Sequence, residues 1–461
     1  MTLIKSISGI RGTIGGKAGE NLTPIDVVSF SSAFCRLIQK KRNKNDIKVV
    51  IGRDARRSGE MISDLVCATL KGMGAHVVDL GLSTTPTVEI SVPEEKADAG
   101  IILTASHNPG QWNALKLLNE KGEFISAAEG EEMLQLAAAA DYDFANIDSL
   151  GSVVKKDYLD LHIRKILELP LVNKAAIASA NLKVAVDAVN SSGGIYVPAL
   201  LKALGVEMIQ ELYCTPNGHF PHNPEPLPEH LGDLAQLIQK ESCDLGIVVD
   251  PDVDRLAFVC EDGSMFGEEY TLVAVADYVI SKTPGNSVSN LSSTRALKDI
   301  TVAKGMRYEA AAVGEVNVVA KMKEINAVIG GEGNGGIIYP ESHYGRDALV
   351  GIALFLSHLA EKKMKISELR DSYPKYVISK NKIELDASTP VDSILEQTKS
   401  IFSDAEINTI DGVKIDFPTE WVHLRKSNTE PIIRIYAESS SKDKADELAK
   451  RVMKEIQQLV G

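Results

Sequence analysis

Along the first two-thirds of the chain, short apolar runs rich in β-branched residues alternate with stretches of helical periodicity. KVVIGRD (48–54) is apolar and ends in a charged turn. A helical pattern from about Ser58 to Met73 follows, then HVVDLG (76–81), then AGIILTASHNP (99–109), a buried-strand pattern running into a polar loop. This alternation predicts βαβ units and a parallel sheet covered on both faces. The pattern restarts near 180. KVAVDAVNSSGG (183–194) resembles KVVIGRDARRSG in kind, with a helix from about Ile195, and LGIVVDPDVDRLAFVCEDG (245–263) closes that unit. A third unit opens with a helix near Glu269 and contains SVSNLSSTR (287–295), EAAAVGEV (309–316) and AVIGGEGNGGIIY (327–339), with helices between.

The last part differs. ISKNKIELD (378–386), a helix around 391–402, GVKIDF (412–417), WVHLRKS (421–427) and IIRIYAE (432–438) precede an amphipathic helix from about Lys442 to Leu459. Strands outnumber helices there and some read as antiparallel, which predicts a smaller α+β domain. The expected fold class is α/β: three similar mixed-sheet α/β domains, 1–155, 156–262 and 263–370, then a C-terminal α+β domain, 371–461.

A chain of 461 residues is too long for one ordinary core, so several domains agree with the pattern. With 44% hydrophobic and 25% charged residues, the composition is that of a soluble globular protein. No apolar run approaches the roughly 20 residues that span a bilayer, and MTLIKSISGIRG lacks the pattern of a signal peptide, so a cytoplasmic protein without a membrane partner is expected. The net charge of −13 argues against nucleic acid as a partner. It also requires that any anionic substrate be received by a local cluster of Arg and Lys. The five cysteines, Cys35, Cys67, Cys214, Cys243 and Cys260, are scattered without CxxC spacing, which points to ordinary thiols rather than zinc or a disulfide framework.

Four segments carry candidate chemistry. In Asp250-Pro251-Asp252-Val253-Asp254-Arg255 three carboxylates recur at every second position, at the end of a buried strand. On an extended backbone they project to one side. Their mutual repulsion calls for a hard divalent cation, with Mg²⁺ the choice in phosphoryl chemistry. Glu261 falls where a calcium EF-hand would place its last ligand, but Arg255 stands where that loop needs Gly, and the flanks read as strands. The second segment is Thr104-Ala105-Ser106-His107-Asn108-Pro109. Ser106 near a metal is a candidate to accept and return a phosphoryl group. Lys116 is either a proton shuttle with a lowered pKa or a surface lysine. The glycine-rich run 330–336 contains a formal GxGxxG but leads into another strand, so the dinucleotide reading fails; Glu332 and Asn334 are candidates to bind sugar hydroxyls. Arg425-Lys426-Ser427-Asn428-Thr429-Glu430-Pro431, with Arg434 close behind, reads as a phosphate cradle. Arg11 lies between Gly9 and Gly12, and no GxxxxGK[ST] occurs.

Taken in order, SGIRG, TASHNP, DPDVDR, the GE-containing glycine loop and RKSNTEP make the chain resemble the α-D-phosphohexomutases, over essentially its whole length. That resemblance implies a four-domain enzyme around a central cleft, a monomer or homodimer, whose last domain closes over a small-molecule sugar phosphate. It implies that Ser106 is the phosphoserine and that Asp250, Asp252, Asp254 and the Ser106 phosphate hold one Mg²⁺. Arg11, Lys116 and Arg255 are then catalytic. Glu332 and Asn334 bind the sugar, and Arg425, Ser427, Asn428, Thr429 and Arg434 grip the phosphate that does not react. A hexose 1,6-bisphosphate is the implied intermediate and activator. Three aspartates and a dianionic phosphoserine carry about −5, which Mg²⁺ and the three cations offset.

One departure is visible. Many members read GExSGH in the sugar loop, whereas here Gly336 takes the place of the histidine. His343, in PESHYGRD, is either its substitute or a surface histidine. The Asn-Gly-Gly form is similar to archaeal-type members. TASHNP and TEP-I-I-R lean toward a phosphoglucosamine mutase, converting glucosamine 6-phosphate to glucosamine 1-phosphate, with phosphomannomutase/phosphoglucomutase as the alternative.

Overall fold

The computed structural model describes residues 2–6, 9–385, 391–402, 405–426 and 432–460. The chain packs as two compact units: residues 1–271 with 335–367, and residues 272–334 with 368–461.

The first unit contains two sheets. Strands β1 (Ile4–Ser6), β2 (Gly9–Thr13), β3 (Lys48–Arg53), β4 (His76–Leu82), β5 (Ala99–Leu103), β6 (Trp112–Leu118) and β7 (Val153–Lys155) form one sheet in the order β1-β2-β6-β5-β3-β4-β7. Its β5-β3-β4-β7 half is parallel, as the βαβ pattern predicts. The β1-β2-β6 half is antiparallel, and β6 pairs antiparallel with β5. The sheet is thus mixed rather than wholly parallel. The loop from Leu103 to Trp112 is too short for the crossover a parallel β6 would need. Val49, Ile51, Ile101, Leu103 and Leu115 on one face pack with Phe34, Leu37, Ile62 and Val66 of the covering helices in a fully buried core.

The second sheet has the order β11-β10-β8-β9, from β8 (Lys183–Asp187), β9 (Met208–Leu212), β10 (Leu245–Val249) and β11 (Leu256–Cys260). β8 runs parallel to β9 and β10, while β10 and β11 form a hairpin whose connection is Asp250–Arg255. Leu103 and Val249 both end buried strands, so the loops beyond them emerge at strand C-terminal ends, where α/β folds place ligands. The returning segment 335–367 supplies the helix Ala348–Lys362, buried around nearly its whole circumference. Its N-cap is Asp347, whose side chain accepts from the N–H groups of Leu349 and Val350.

In the second unit, β12 (Asn286–Asn290) pairs parallel with β13 (Tyr308–Ala311) and with β14 (Ala327–Glu332). A separate antiparallel sheet follows, in the strand order Val377–Glu384, Ile432–Ser439, Trp421–Lys426, Val413–Asp416, Glu406–Asn408. Helices Val391–Ile401 and Lys442–Val460 pack against it over a core of Ile415, Val422, Leu424, Ile433, Ile435, Val452 and Ile456. This is the smaller α+β layer expected from the C-terminal pattern. Among the described residues no helix is long and apolar enough to cross a membrane. All five cysteines are free thiols.

Candidate active site and metal centre

Ser106 sits in the loop after β5 with φ 49°, in the left-handed region, and is 7% exposed. Such a conformation persists only where the surroundings impose it, and here Arg56 does so. Its guanidinium is 1% exposed. It donates to the carbonyls of Pro109 at 2.7 Å, Trp112 at 2.9 Å, Asn108 at 2.6 Å, and Ser106 itself. Asp54 holds Arg56 through Nε at 3.0 Å and also accepts from Thr104 Oγ1 at 2.7 Å. The Thr104 hydroxyl in turn accepts from the Ser106 N–H at 2.9 Å. The loop is therefore fixed at both its start and its end.

The Ser106 hydroxyl donates to Asp250 Oδ2 at 2.7 Å, across 144 residues of sequence. Asp250, Asp252 and Asp254 are all buried, and each offers a carboxylate oxygen within 4.8 Å of the others. They converge from a tight turn and not from the extended backbone that their spacing suggested. Val253 has φ 62°, and the N–H groups of Asp254 and Arg255 fold back onto Asp250 Oδ1, both at 3.1 Å. On the far side, Asp252 Oδ2 accepts from Thr85 Oγ1 at 2.6 Å and Lys116 Nζ at 2.7 Å. Asp254 Oδ2 accepts from Arg346 Nη2 at 2.8 Å and Lys116 Nζ at 3.3 Å.

Among the described residues this leaves Asp252 Oδ1 and Asp254 Oδ1 buried without a hydrogen-bond donor. A buried carboxylate oxygen with no partner is costly. Two of them turned into one acidic cluster fit a bound cation with oxygen ligands. Burial, and then the neighbouring Asp252 and Asp254, push the Asp250 carboxyl well above the usual carboxylate range. Burial acts the same way on Asp252, but Lys116 outweighs it and holds that carboxyl below its ordinary value.

Lys116 is on β6 and is buried, so it is not a surface lysine. Burial works to lower its pKa, but Asp252 and Asp254 overcome that and raise it. Arg11, on β2, reaches Asn108 Oδ1 at 3.2 Å. Burial and the nearby Arg255 lower the pKa of Arg11, and burial, Arg255 and Arg11 lower that of His107 well below its usual value. Arg255 reaches Glu225 at 3.3 Å, while its buried Nε has no acceptor. Two arginines crowded beside a neutral histidine make a corner ready for an anion. This is the local cationic cluster that the acidic composition demands.

Comparison with known proteins now decides the family. The family models for phosphoglucomutase/phosphomannomutase α/β/α domains I, II and III match residues 3–143, 160–263 and 267–376, and the C-terminal domain model matches 376–455. The chain belongs to the phosphoglucomutase/phosphomannomutase family. It is 34% identical over 442 residues to the phosphoglucomutase/phosphomannomutase of Thermococcus kodakarensis, covering 95% of this chain and 96% of that protein. It is 30% identical over 461 residues to the phosphoglucosamine/phosphogalactosamine mutase of Sulfurisphaera tokodaii, covering 97% and 98%. Among solved structures, a family protein from Burkholderia thailandensis superposes with a TM-score of 0.85 at 26% identity, over 100% of this chain and 99% of that one.

The remaining family motifs lie in the second unit. Glu332, at the end of β14, is 4% exposed and accepts from Asn290 Nδ2 at 2.8 Å and from the Gly314 N–H at 3.1 Å. Asn334 is half-buried in the loop that follows. Arg425 and Arg434 stand directly opposite each other on adjacent antiparallel strands, with Lys382 opposite Arg434 on its other side. Arg425 pairs with Asp411 at 2.8 Å, and Arg434 is exposed. Like charges directly opposed across strands are unfavourable unless something negative joins them. Ser427, Asn428 and Thr429 lie outside the described residues.

His343 is not a surface histidine. Its side chain is 13% exposed, with Nε2 3.2 Å from Asp347 and Nδ1 3.4 Å from Glu89. Four residues that touch the site escaped the sequence reading: Arg56, Thr85, Glu225 and Arg346. Arg56 and Arg346 stand in the charged turns RDARRSG and HYGRD, which was the available signal. A threonine inside the apolar-flanked STTPTVE offers none.

Proposed function

We propose that this protein is a hexose-phosphate mutase that carries its phosphoryl group on Ser106, with Mg²⁺ held by Asp250, Asp252 and Asp254. The observation that carries the reading is the 2.7 Å approach of Ser106 Oγ to Asp250, beside two buried carboxylate oxygens that no donor satisfies. A divalent cation bound there would neutralise charge on the oxygens of the transferring phosphoryl group.

The chain's own residues then do the following. Arg56 and Asp54 present Ser106. Arg11 and Arg255 receive the phosphoryl oxygens. Lys116, next to the acidic cluster, holds a proton near the attacking and leaving hydroxyl. Phosphorylated Ser106 gives its phosphoryl to the free C1 or C6 hydroxyl of a sugar monophosphate; the new P–O bond forms as the Ser106 P–O bond breaks, and the proton lost by the sugar hydroxyl passes to the Ser106 oxygen, to be given up again in the second transfer. The bisphosphate turns around, its other phosphate is transferred to Ser106, and the hydroxyl released takes a proton back. Glu332 and Asn334 bind the sugar, and Arg425, Ser427, Asn428, Thr429 and Arg434 hold the phosphate not being transferred. These roles follow domains bounded near 155, 262 and 370.

For the sugar we favour glucosamine phosphate. The TASHNP and TEP-I-I-R motifs and the name of the Sulfurisphaera relative support it, and the name of the Thermococcus relative supports glucose and mannose phosphates as the alternative. Ranking glucosamine, N-acetylglucosamine, glucose and mannose phosphates by kcat/KM tests this choice. The mutase reading is tested by intact mass. A population heavier by one phosphate, absent in Ser106→Ala together with turnover, is expected. Undiminished turnover in that variant would remove Ser106 from the mechanism.

A further inference from the structure

Each of the three aspartates has one oxygen committed to protein donors. Asp250 Oδ1 takes the N–H groups of Asp254 and Arg255. Asp252 Oδ2 takes Thr85 and Lys116. Asp254 Oδ2 takes Arg346 at 2.8 Å and Lys116 at a longer 3.3 Å. The opposite oxygens face the ion site, Asp250 Oδ2 beside the Ser106 hydroxyl and Asp252 Oδ1 and Asp254 Oδ1 without a donor among the described residues, so each carboxylate is restricted to binding through one oxygen. That restriction discriminates between cations. Mg²⁺ accepts six ligands at short, near-octahedral distances and keeps waters or phosphate oxygens in its shell. Ca²⁺ takes six to eight oxygens and gains them readily from carboxylates that bind through both.

We propose that Arg346 is a specificity-determining residue for the metal: by occupying Asp254 Oδ2 it bars Asp254 from gripping an ion with both oxygens, and so favours Mg²⁺ over Ca²⁺. Lys116 and Thr85 impose the same limit on Asp252. Arg346 is the informative one, because it is not among the groups that touch the transferring phosphoryl.

The segment carrying Arg346 is held independently of it. The Ala348 N–H donates to the carbonyl of Val253, inside the metal loop, at 3.2 Å. The Asp347 N–H donates to Ile337 at 2.8 Å. The Asp347 carboxylate is gripped by His162 Nε2 at 2.9 Å and His343 Nε2 at 3.2 Å while it caps the helix that follows. His162 is itself anchored on Thr87 at 2.9 Å, two residues from Thr85. These bonds keep Arg346 in register and keep the loop in place when its side chain is shortened.

The inference rests on the metal reading above, and calorimetry of metal binding separates the two. Mg²⁺ and Ca²⁺ are titrated separately into dephosphorylated wild type, R346M and R346K, with D252N as the blank. Wild type binds Mg²⁺ in preference to Ca²⁺. R346M shifts the ratio of the two dissociation constants toward Ca²⁺ by about tenfold, and R346K, which retains a cationic donor, recovers most of the preference. An unchanged ratio in R346M overturns the role of Arg346 while leaving the metal site standing. Absence of Mg²⁺ binding in wild type, or equal binding in D252N, overturns the site itself. R346L, which likewise carries no donor, supplies the same comparison should R346M fail to fold, and near-ultraviolet circular dichroism checks each variant.

Discussion

Two cationic regions of this protein are built on opposite plans. Around Ser106, Arg56, Lys116 and Arg346 are buried and bound. Arg56 is locked by four carbonyls and Asp54, and Lys116 and Arg346 are tied to the aspartates. In the C-terminal sheet the row Lys382, Arg434, Arg425 lies across three adjacent strands, with Arg434 exposed and Arg425 paired with Asp411. The first plan fixes reacting atoms, where a small misplacement is expensive. The second leaves charge open to solvent, as the proposed grip on the phosphate that does not react would need. On that reading, chemistry rests on buried, multiply bonded groups and the phosphate grip on exposed ones.

Substitutions should separate the plans, and the largest effect belongs to the metal loop. D250N keeps the shape of the Asp250 side chain but removes a charged ligand, so turnover should fall roughly 10⁴-fold. The melting temperature of the metal-free protein should not fall, because one of three crowded carboxylates has been neutralised. R56M should lose both properties. It leaves the buried Asp54 carboxylate without its ion-pair partner and several carbonyls without a donor, a destabilisation of about 3–5 kcal/mol in chemical denaturation, and it releases the Ser106 loop.

Glu438 is fully buried in the second unit. Its carboxylate is bonded by Thr294, by the Arg295 N–H at 3.0 Å and by Trp421 Nε1 at 2.7 Å. Burial, only partly opposed by these bonds, pushes its pKa from 4.5 up to about 7. The folded-state pKa is raised, so its stabilising contribution is complete below the unfolded value. It is lost as pH climbs through the folded one, on the order of 3 kcal/mol in all. E438Q should flatten that dependence, melting higher than wild type at about pH 8 and with no advantage at about pH 4.5. A parallel pH profile in both proteins would contradict the assignment. The smallest effect is expected in the open cationic row. R434M should raise KM about tenfold, near 1.4 kcal/mol, with the melting temperature unmoved because the residue is exposed.

Much of this was legible in the sequence because its signals are local. The apolar runs at 48–54, 99–103 and 245–249 became strands β3, β5 and β10. The acidic spacing of 250–254 announced a cluster even though its backbone turned out folded and not extended. The glycine run 330–336 is bounded by strand on both sides, as its flanks suggested. What stayed hidden depends on partners far along the chain. β6 lacks a strong strand pattern because it borrows its register from β5 and β2. Arg56 meets its carbonyls some 50 residues away, and Arg346 meets Asp254 across 92. Nothing in YGRD distinguishes an arginine bound for a carboxylate from one bound for solvent. The burial of His343 stayed open for the same reason, since its partners Glu89 and Asp347 come together only in the fold.

The central claim is that Ser106 and the three aspartates share one divalent ion, and crystals grown with Mn²⁺ in place of Mg²⁺ test it most directly. The account predicts one anomalous peak bounded by single carboxylate oxygens of Asp250, Asp252 and Asp254 and adjoining the Ser106 hydroxyl or its phosphate. A peak elsewhere, or none at this cluster with Mn²⁺ at saturating concentration, would contradict it.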